Sequence, residues 1–172
     1  VRQFVTKYGE RLFRRPLTEA EIAPRFKTVA TGAKSGDLHA GLSLALTSLL
    51  MAPEFLFRVE MAAPDPAHSK DYRLDGYTKA ARVSYLLWDT APDAELLASA
   101  RTGAIHTDAG LKQQLTRLAS SPRFEDGARA FFTDMLQLDG FDNLIKDPAT
   151  YPKFNQSVSD SAKEQTLKTT VD

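Results

Sequence analysis

Apolar residues recur every three or four positions along most of the chain, which is the spacing of one face of an α-helix. In the first segment they are Phe4, Val5, Tyr8, Leu12 and Phe13. Pro16 disfavours helical backbone at the residue before it, so the first helix is expected to end there. A second apolar face predicts a buried core helix; it comprises Leu38, Leu42, Ala45, Leu46, Leu49 and Leu50.

Residues that cap helix N-termini precede several of these segments. Thr18 and Glu21 have the spacing of a capping box, while Asp37, Asp75 and Asp93 each stand before an apolar run. Pro53 suits the first turn of a short helix, from which Phe55, Leu56 and Phe57 are expected to pack back onto the core. Further helices are predicted at about 75–88, 93–100, 108–120, 122–138 and 157–172.

No segment alternates apolar and polar residues with a period of two, so no strands are predicted. The fold class is all-α: an irregular multi-helix bundle of about seven to nine helices with proline corners and two subdomains. Pro64 and Pro66 mark residues 63–71 as a linker between subdomains 1–62 and 72–172. The chain begins without an initiator Met or a signal peptide, and no glycine or proline ends the last predicted helix. The natural polypeptide is therefore expected to be longer.

The composition disfavours or excludes several classes of function. The 172 residues are 42% hydrophobic, enough for a core that needs no metal or disulfide. Lys plus Arg equals Asp plus Glu at 22 each, which disfavours nucleic acid as a partner. There is no cysteine, so no thiolate metal site, cysteine nucleophile or covalent c-type haem attachment can be built from these residues. The most apolar run, residues 40–52, is too short to cross a bilayer.

No catalytic motif emerges. Ser43 stands in a Gly-x-Ser-x-Ala context, but a nucleophile elbow needs a strand before the serine, and here a helix is predicted. His39, His68 and His106 lack the spacing that places two metal ligands on one helix face. The acidic segment 139–143 has no carboxylate at the twelfth position of a calcium loop. We therefore predict no catalytic residue, no metal site and no cofactor within this segment.

Five residues are candidates for interaction with a partner. Arg14 and Arg15 belong to a basic edge at the end of the first helix. Tyr85 and Trp88 end a later helix among large apolar residues that must be covered, and Arg82 lies about one turn before Tyr85. A second apolar surface is expected to be covered by Leu115 and Leu118; it comprises Phe131, Phe132, Met135, Leu136 and Leu138.

Several long segments resemble two adjacent domains of unknown function found in planctomycete-type, multidomain cytochrome c-associated proteins. The first domain would cover about residues 1–60 and the second about 72–172. The resemblance is carried by Arg14-Arg15-Pro16-Leu17-Thr18, Met51 to Glu60, Ala81 to Trp88 and Pro92 to Leu97.

This resemblance implies an exported, periplasmic protein in which a c-type haem domain and further helical domains lie elsewhere in the same polypeptide. It assigns no reaction. The sequence departs from the family where Thr78-Lys79 replaces Glu-Leu, which removes the carboxylate one turn before Arg82. Arg82 must then find another partner or face water.

The leading hypothesis is a non-catalytic helical scaffold or interaction module of a cytochrome-linked assembly, whose partners are other domains or chains. The alternative is part of a haem-dependent oxidoreductase, with its site at the junction with a haem domain and Arg82, Tyr85 or Trp88 lining it. A third hypothesis is non-covalent haem held by His39 or His106; Met51, Met61 and Met135 are expected to fill gaps rather than bind iron.

Overall fold

The computed structural model describes residues 2–34, 36–66, 68 and 70–171, and within them the chain is mostly α-helical, as predicted. Ala67 and Ser69 of the predicted linker, and Asp172 at the predicted end of the last helix, lie outside the described residues. The helices are α1 (Arg2–Phe13), α2 (Glu19–Lys34), α3 (Leu38–Leu50), α4 (Pro53–Leu56), α5 (Gly76–Trp88), α6 (Ala94–Thr102), α7 (Asp108–Ala119), α8 (Arg123–Met135) and α9 (Gln156–Val171). Two 3-10 helices span Ala104–His106 and Leu138–Asn143.

The capping signals are confirmed where the helices begin. Asp37 accepts a hydrogen bond from the Ala40 amide at 2.8 Å, and Asp93 accepts one from Leu96 at 2.9 Å. Asp75 likewise accepts from the Thr78 amide at 2.6 Å. These bonds satisfy amides that have no partner inside the helix, so each N-terminus is fixed by its own local sequence.

The prediction of no strands is wrong. β1 (Ala62–Pro64) and β2 (Tyr72–Leu74) pair as an antiparallel hairpin with Ala63 opposite Arg73. Each strand has three residues, which is too short for a period of two to be visible in sequence. The hairpin therefore occupies part of the segment 63–71 that was interpreted as a linker.

The chain forms two compact units. Unit 1 comprises residues 1–83 and 91–114, and unit 2 comprises residues 84–90 and 115–172. The division at residues 63–71 remains a prediction about the family domains. Within the described residues no helix is both long and apolar enough to cross a membrane.

The core of unit 1 forms where α1, α2, α3 and α4 meet. Its buried members are Val5, Phe13, Leu17, Ile22, Leu49 and Ala52. α2 and α3 pack very closely, because Gly32 and Gly41 face each other: a Cβ on Gly32 would lie 2.8 Å from the Gly41 Cα. This contact buries Gly41, Ala45 and Leu49 on one face of α3.

Two predictions about burial are wrong. Leu38 and Leu50 were placed on the buried face of α3, yet they are 42% and 39% exposed. Phe55 does pack against the core, but Leu56 and Phe57 remain exposed. Three consecutive residues point in directions about 100° apart around a helix, so a four-residue helix cannot bury all three.

The second apolar surface is only partly covered. Leu118 and Leu138 are buried in unit 2, whereas Phe131, Met135 and Leu136 are exposed, contrary to the expectation that Leu115 and Leu118 would cover them.

Candidate interaction surface

Arg14 ends α1 and fixes the position of α4. Its backbone is left-handed, with φ of 59°, and its side chain is buried. The guanidinium donates to the backbone carbonyl oxygens of Glu54, Phe55 and Phe57, the last at 2.9 Å. Carbonyls at the end of a helix have no partner within it, so one arginine satisfies the C-terminal end of α4.

Arg15 holds the corner between α1 and α2. Its guanidinium forms two hydrogen bonds with the Glu21 carboxylate, at 3.0 and 2.8 Å. Glu21 Oε2 also accepts from the Thr18 amide at 2.7 Å, which confirms one half of the predicted capping box. The Thr18 hydroxyl donates to the same oxygen at 3.0 Å. The Arg15 hydrogen bonds lower the pKa of Glu21 from 4.5 to about 2, so the pair is ionised at neutral pH.

A cleft of about 550 Å³ opens beside this corner in unit 1. Its walls include the apolar side chains of Phe13, Val59 and Met61 and the polar side chains of Glu54 and Tyr77. Arg14 and Arg15 also line the cleft, but their guanidinium groups are bonded to the α4 carbonyls and to Glu21. Glu54, Val59 and Met61 connect the cleft to residues 50–61, and both arginines in its wall already have partners.

Residues 50–61 expose six large apolar side chains, which we call the 50–61 surface. The members and their exposed fractions are Leu50 39%, Met51 71%, Leu56 60%, Phe57 66%, Val59 54% and Met61 52%. They follow one another across the end of α3, the short α4 and the extended segment that leads to β1. A concentration of exposed apolar side chains of this kind is typical of a binding surface.

Arg82 finds its partner beside the 50–61 surface. Its guanidinium forms two hydrogen bonds with the Glu60 carboxylate, at 2.6 and 2.7 Å. The Arg82 hydrogen bond lowers the pKa of Glu60, and the pKa of Arg82 is raised in return. Glu60, 22 residues before Arg82, thus takes the place of the carboxylate that is typical of the family one turn before Arg82.

Trp88 and Tyr85 lie in unit 2. Trp88 is 5% exposed, and its indole Nε1 donates to the Leu118 carbonyl oxygen at 2.9 Å. The guanidinium carbons of Arg117 and Arg123 lie 5.6 and 5.2 Å from the Trp88 ring. Trp88 is therefore a packed core residue of its unit, while Tyr85 is half-buried.

The histidines do not come together as ligands. His39 is exposed at the start of α3, and His68 lies 3.5 Å from Asp65 at the hairpin. His106 is half-buried, and burial, Arg73 and Lys79 lower its pKa. In the described ranges no three His, Asp or Glu residues form a group that could hold a metal ion.

The acidic segment 139–143 is neutralised by a lysine of α9. Lys163 Nζ lies 3.3 Å from Asp139 and 2.9 Å from Asp142. Hydrogen bonds to these two carboxylates raise the pKa of Lys163. An ammonium group therefore takes the position where this segment could otherwise attract a cation.

Leu56 and Phe57 were not predicted to be surface residues. The predicted interaction candidates are Arg14, Arg15, Arg82, Tyr85 and Trp88, and the structure brings Arg14 and Arg15 together beside the cleft of unit 1. The missing signal was the shortness of the helix after Pro53, since one turn cannot bury consecutive apolar residues on a single side.

Two family models match the chain. Residues 74–172 match PSD4, described as a protein of unknown function (DUF1592), and residues 1–60 match PSD5, described as a protein of unknown function (DUF1595). The two adjacent domains expected from the resemblance are thus present. Neither the curated proteins nor the solved structures contain a significant match to the chain.

Proposed function

The chain belongs to the PSD4 (DUF1592) family, and on that premise we propose that it is a non-catalytic helical module that binds other domains or chains of an exported, cytochrome c-linked assembly. The observation that carries the proposal is the 50–61 surface, where six large apolar side chains are exposed within twelve residues of sequence. Burying apolar surface is the main favourable contribution to most protein association.

The energetic advantage of covering this surface is considerable. Complete burial of one Phe or Met side chain contributes about 1.5–3 kcal/mol, and Phe57 and Met51 are 66% and 71% exposed. Two such side chains together supply about 2–4 kcal/mol before the costs of association. An apolar partner surface is therefore the favoured occupant.

The 50–61 surface is also held in place before any partner binds. Arg14 bonds the carbonyl oxygens of Glu54, Phe55 and Phe57, and Phe55 packs into the core of unit 1. The Met61 amide donates to the Thr78 hydroxyl at 3.0 Å, which fixes the other end of the segment. A surface that is already ordered loses little conformational entropy on binding.

Site-specific photo-crosslinking in the cells that make the protein tests the proposal. A photoreactive phenylalanine analogue at position 57 is expected to give a discrete crosslinked species, because this side chain would lie in the interface. The matched control places the analogue at Lys112, an exposed position of the same unit. Equal crosslinking at the two positions would contradict the proposal.

The exported location and the cytochrome link are supported by the family resemblance of segments such as 14–18 and 81–88. The haem would be attached elsewhere in the polypeptide, since this chain has no cysteine. Cell fractionation followed by haem staining of the natural polypeptide tests both parts. A haem-negative polypeptide, or one retained in the cytoplasm, would overturn them.

A further inference from the structure

α8 carries an apolar stripe that is separate from the 50–61 surface. Phe124, Ala128, Phe131 and Met135 are spaced by four, three and four residues, so they line one side of the helix over about 16 Å. Phe124, Phe131 and Met135 are 41%, 52% and 53% exposed. We call these four residues the α8 stripe.

The helix that carries the stripe is fixed within unit 2. Gly127 packs against the end of α5, where an added Cβ would lie 2.2 Å from the Leu87 carbonyl oxygen. Arg129 pairs with Glu164 of α9 at 2.5 Å. With 100° between successive residues, Gly127 lies about 70° from the centre of the stripe and Arg129 about 130° away on the other side. α5 therefore borders one edge of the stripe, while Phe124, Phe131 and Met135 remain exposed.

The charges beside the stripe are negative. With 100° between successive residues, Glu125 and Asp134 lie about 90° from the centre of the stripe, one on each side. Neither carboxylate has a cationic partner among the described residues. The cations of α8 are used elsewhere: Arg129 pairs with Glu164, and Arg123 lies against the Trp88 ring.

A shallow groove adjoins the N-terminal half of the stripe. It has a volume of about 280 Å³, and Phe124, Glu125 and Ala128 line it together with Pro122 and Val171. The groove has room for one apolar side chain, and the Glu125 carboxylate lies beside it. A partner with an apolar residue next to a lysine or arginine would match both features.

We infer that the α8 stripe binds an amphipathic α-helix that has an apolar stripe of its own and Lys or Arg residues along both edges. Two helices pair when their apolar stripes meet, and the charges beside the stripes select the partner. Glu125 and Asp134 attract a helix with basic edges and repel one with acidic edges. This inference goes beyond the 50–61 surface and can fail or hold independently of it.

A second copy of the chain fits this site poorly. Its own α8 stripe carries the same two carboxylates, so a second copy offers no cations to Glu125 and Asp134. The stripe is also too small for a stable dimer, since such an interface buries roughly 800 Å² on each partner. Anionic membrane surfaces are disfavoured by the same two carboxylates.

Binding of synthetic helical peptides to the purified 172-residue chain tests the inference. The probe is a fluorescent peptide of about three heptads with Leu along its stripe and Lys along both edges. The matched peptide carries Glu in place of Lys and is expected to bind roughly tenfold more weakly. The preference should shrink as salt is added, since exposed charges are screened.

Variants of the chain locate the site. Phe131→Ser and Met135→Ser should each weaken binding of the Lys peptide severalfold, and the double change Glu125→Gln and Asp134→Asn should abolish the preference for Lys over Glu edges. Ile145→Ser is the matched control, because Ile145 is 90% exposed but lies outside the stripe. Both stripe residues are half-exposed, so thermal unfolding should show that these variants stay folded.

Three results would overturn the inference: equal affinity for the Lys and Glu peptides, Lys-peptide binding that survives both serine variants, or Ile145→Ser weakening binding as much as they do. Concentration-dependent dimers in sedimentation that Phe131→Ser abolishes would instead assign the stripe to a second copy. Binding to phosphatidylglycerol vesicles that the same variant abolishes would assign it to a membrane surface, and either finding also rejects a basic helix as the partner.

Discussion

The guanidinium of Arg14 lies 2.9 Å from the carbonyl oxygen of Phe57, which is 43 residues further along the chain. Because the same group also bonds the Glu54 and Phe55 carbonyls, Arg14 should set the position of α4 and the 50–61 surface. A buried arginine thus controls the geometry of an exposed apolar surface.

Replacing Arg14 with Lys should destabilise unit 1. An ammonium group is a compact donor that cannot match the planar fork across several carbonyls, so we expect a loss of about 1–3 kcal/mol in the free energy of unfolding. Urea denaturation measures the change. Arg11→Lys is the control on the exposed side of α1 and should change stability by less than about 0.5 kcal/mol. Equal stability of the two variants would refute this role for Arg14.

Trp88→Phe should cost about 1 kcal/mol in stability. The change removes the indole donor to Leu118, but the Leu118 carbonyl keeps the hydrogen bond from the Ser121 amide at 3.2 Å, so it is not left without a partner. Trp88→Ala should cost about 3–5 kcal/mol, because it also creates a cavity. Thermal unfolding followed by circular dichroism compares the two. Similar losses would show that the hydrogen bond matters more than the packing.

Gly127→Ala should loosen the contact of α8 with α5. The added Cβ would lie 2.2 Å from the Leu87 carbonyl oxygen and 2.8 Å from the Trp88 amide, so α8 must shift, at a cost of about 1–3 kcal/mol or more. Fluorescence reports this directly, since Trp88 is the single tryptophan of the chain. Gly140→Ala is the matched control, because a Cβ there meets nothing within 4 Å. An unchanged emission spectrum and stability in Gly127→Ala would contradict this packing.

The pair formed by Arg15 and Glu21 should make stability depend on pH in the acid range. The Arg15 hydrogen bonds lower the pKa of Glu21 from 4.5 to about 2 in the folded chain. The stabilisation is therefore fully present above the unfolded pKa near 4.5 and is lost as the pH falls from there through about 2.

Glu21→Gln should remove this contribution. Its free energy of unfolding, measured in urea between pH 2 and 6, should fall less steeply with decreasing pH than that of the original chain, by up to about 1.4 kcal/mol per pH unit. Glu19→Gln is the control, since the pair of Glu19 with Arg2 is 65% and 58% exposed. Parallel pH profiles for Glu21→Gln and the original chain would exclude the linkage.

The sequence predicted those features of the fold that depend on residues close together in the chain. Asp37, Asp75 and Asp93 mark helix starts because each cap acts within three residues, and Pro16 marks a corner because its ring restricts the residue before it. The strands were missed because three residues carry no period, and they are held by pairing across the hairpin rather than by local propensity.

The candidate surface depended on contacts between distant segments. The partner of Arg82 is Glu60, and that of Arg14 is the end of α4; neither follows from helical spacing. The exposure of Phe57 and Phe131 could not be predicted either. Apolar periodicity shows which residues share a helix face, but it does not show whether another element covers that face.

In the natural assembly, the 50–61 surface should be covered by a partner. Oxidation by hydrogen peroxide tests it, because Met51, Met61 and Met135 are 71%, 52% and 53% exposed and are the three methionines of the chain. In the isolated chain all three should oxidise readily; in the natural assembly Met51 and Met61 should be protected, while Met135 reports separately on the α8 stripe. Oxidation of Met51 and Met61 at the same rate in both samples would show that no partner covers the 50–61 surface.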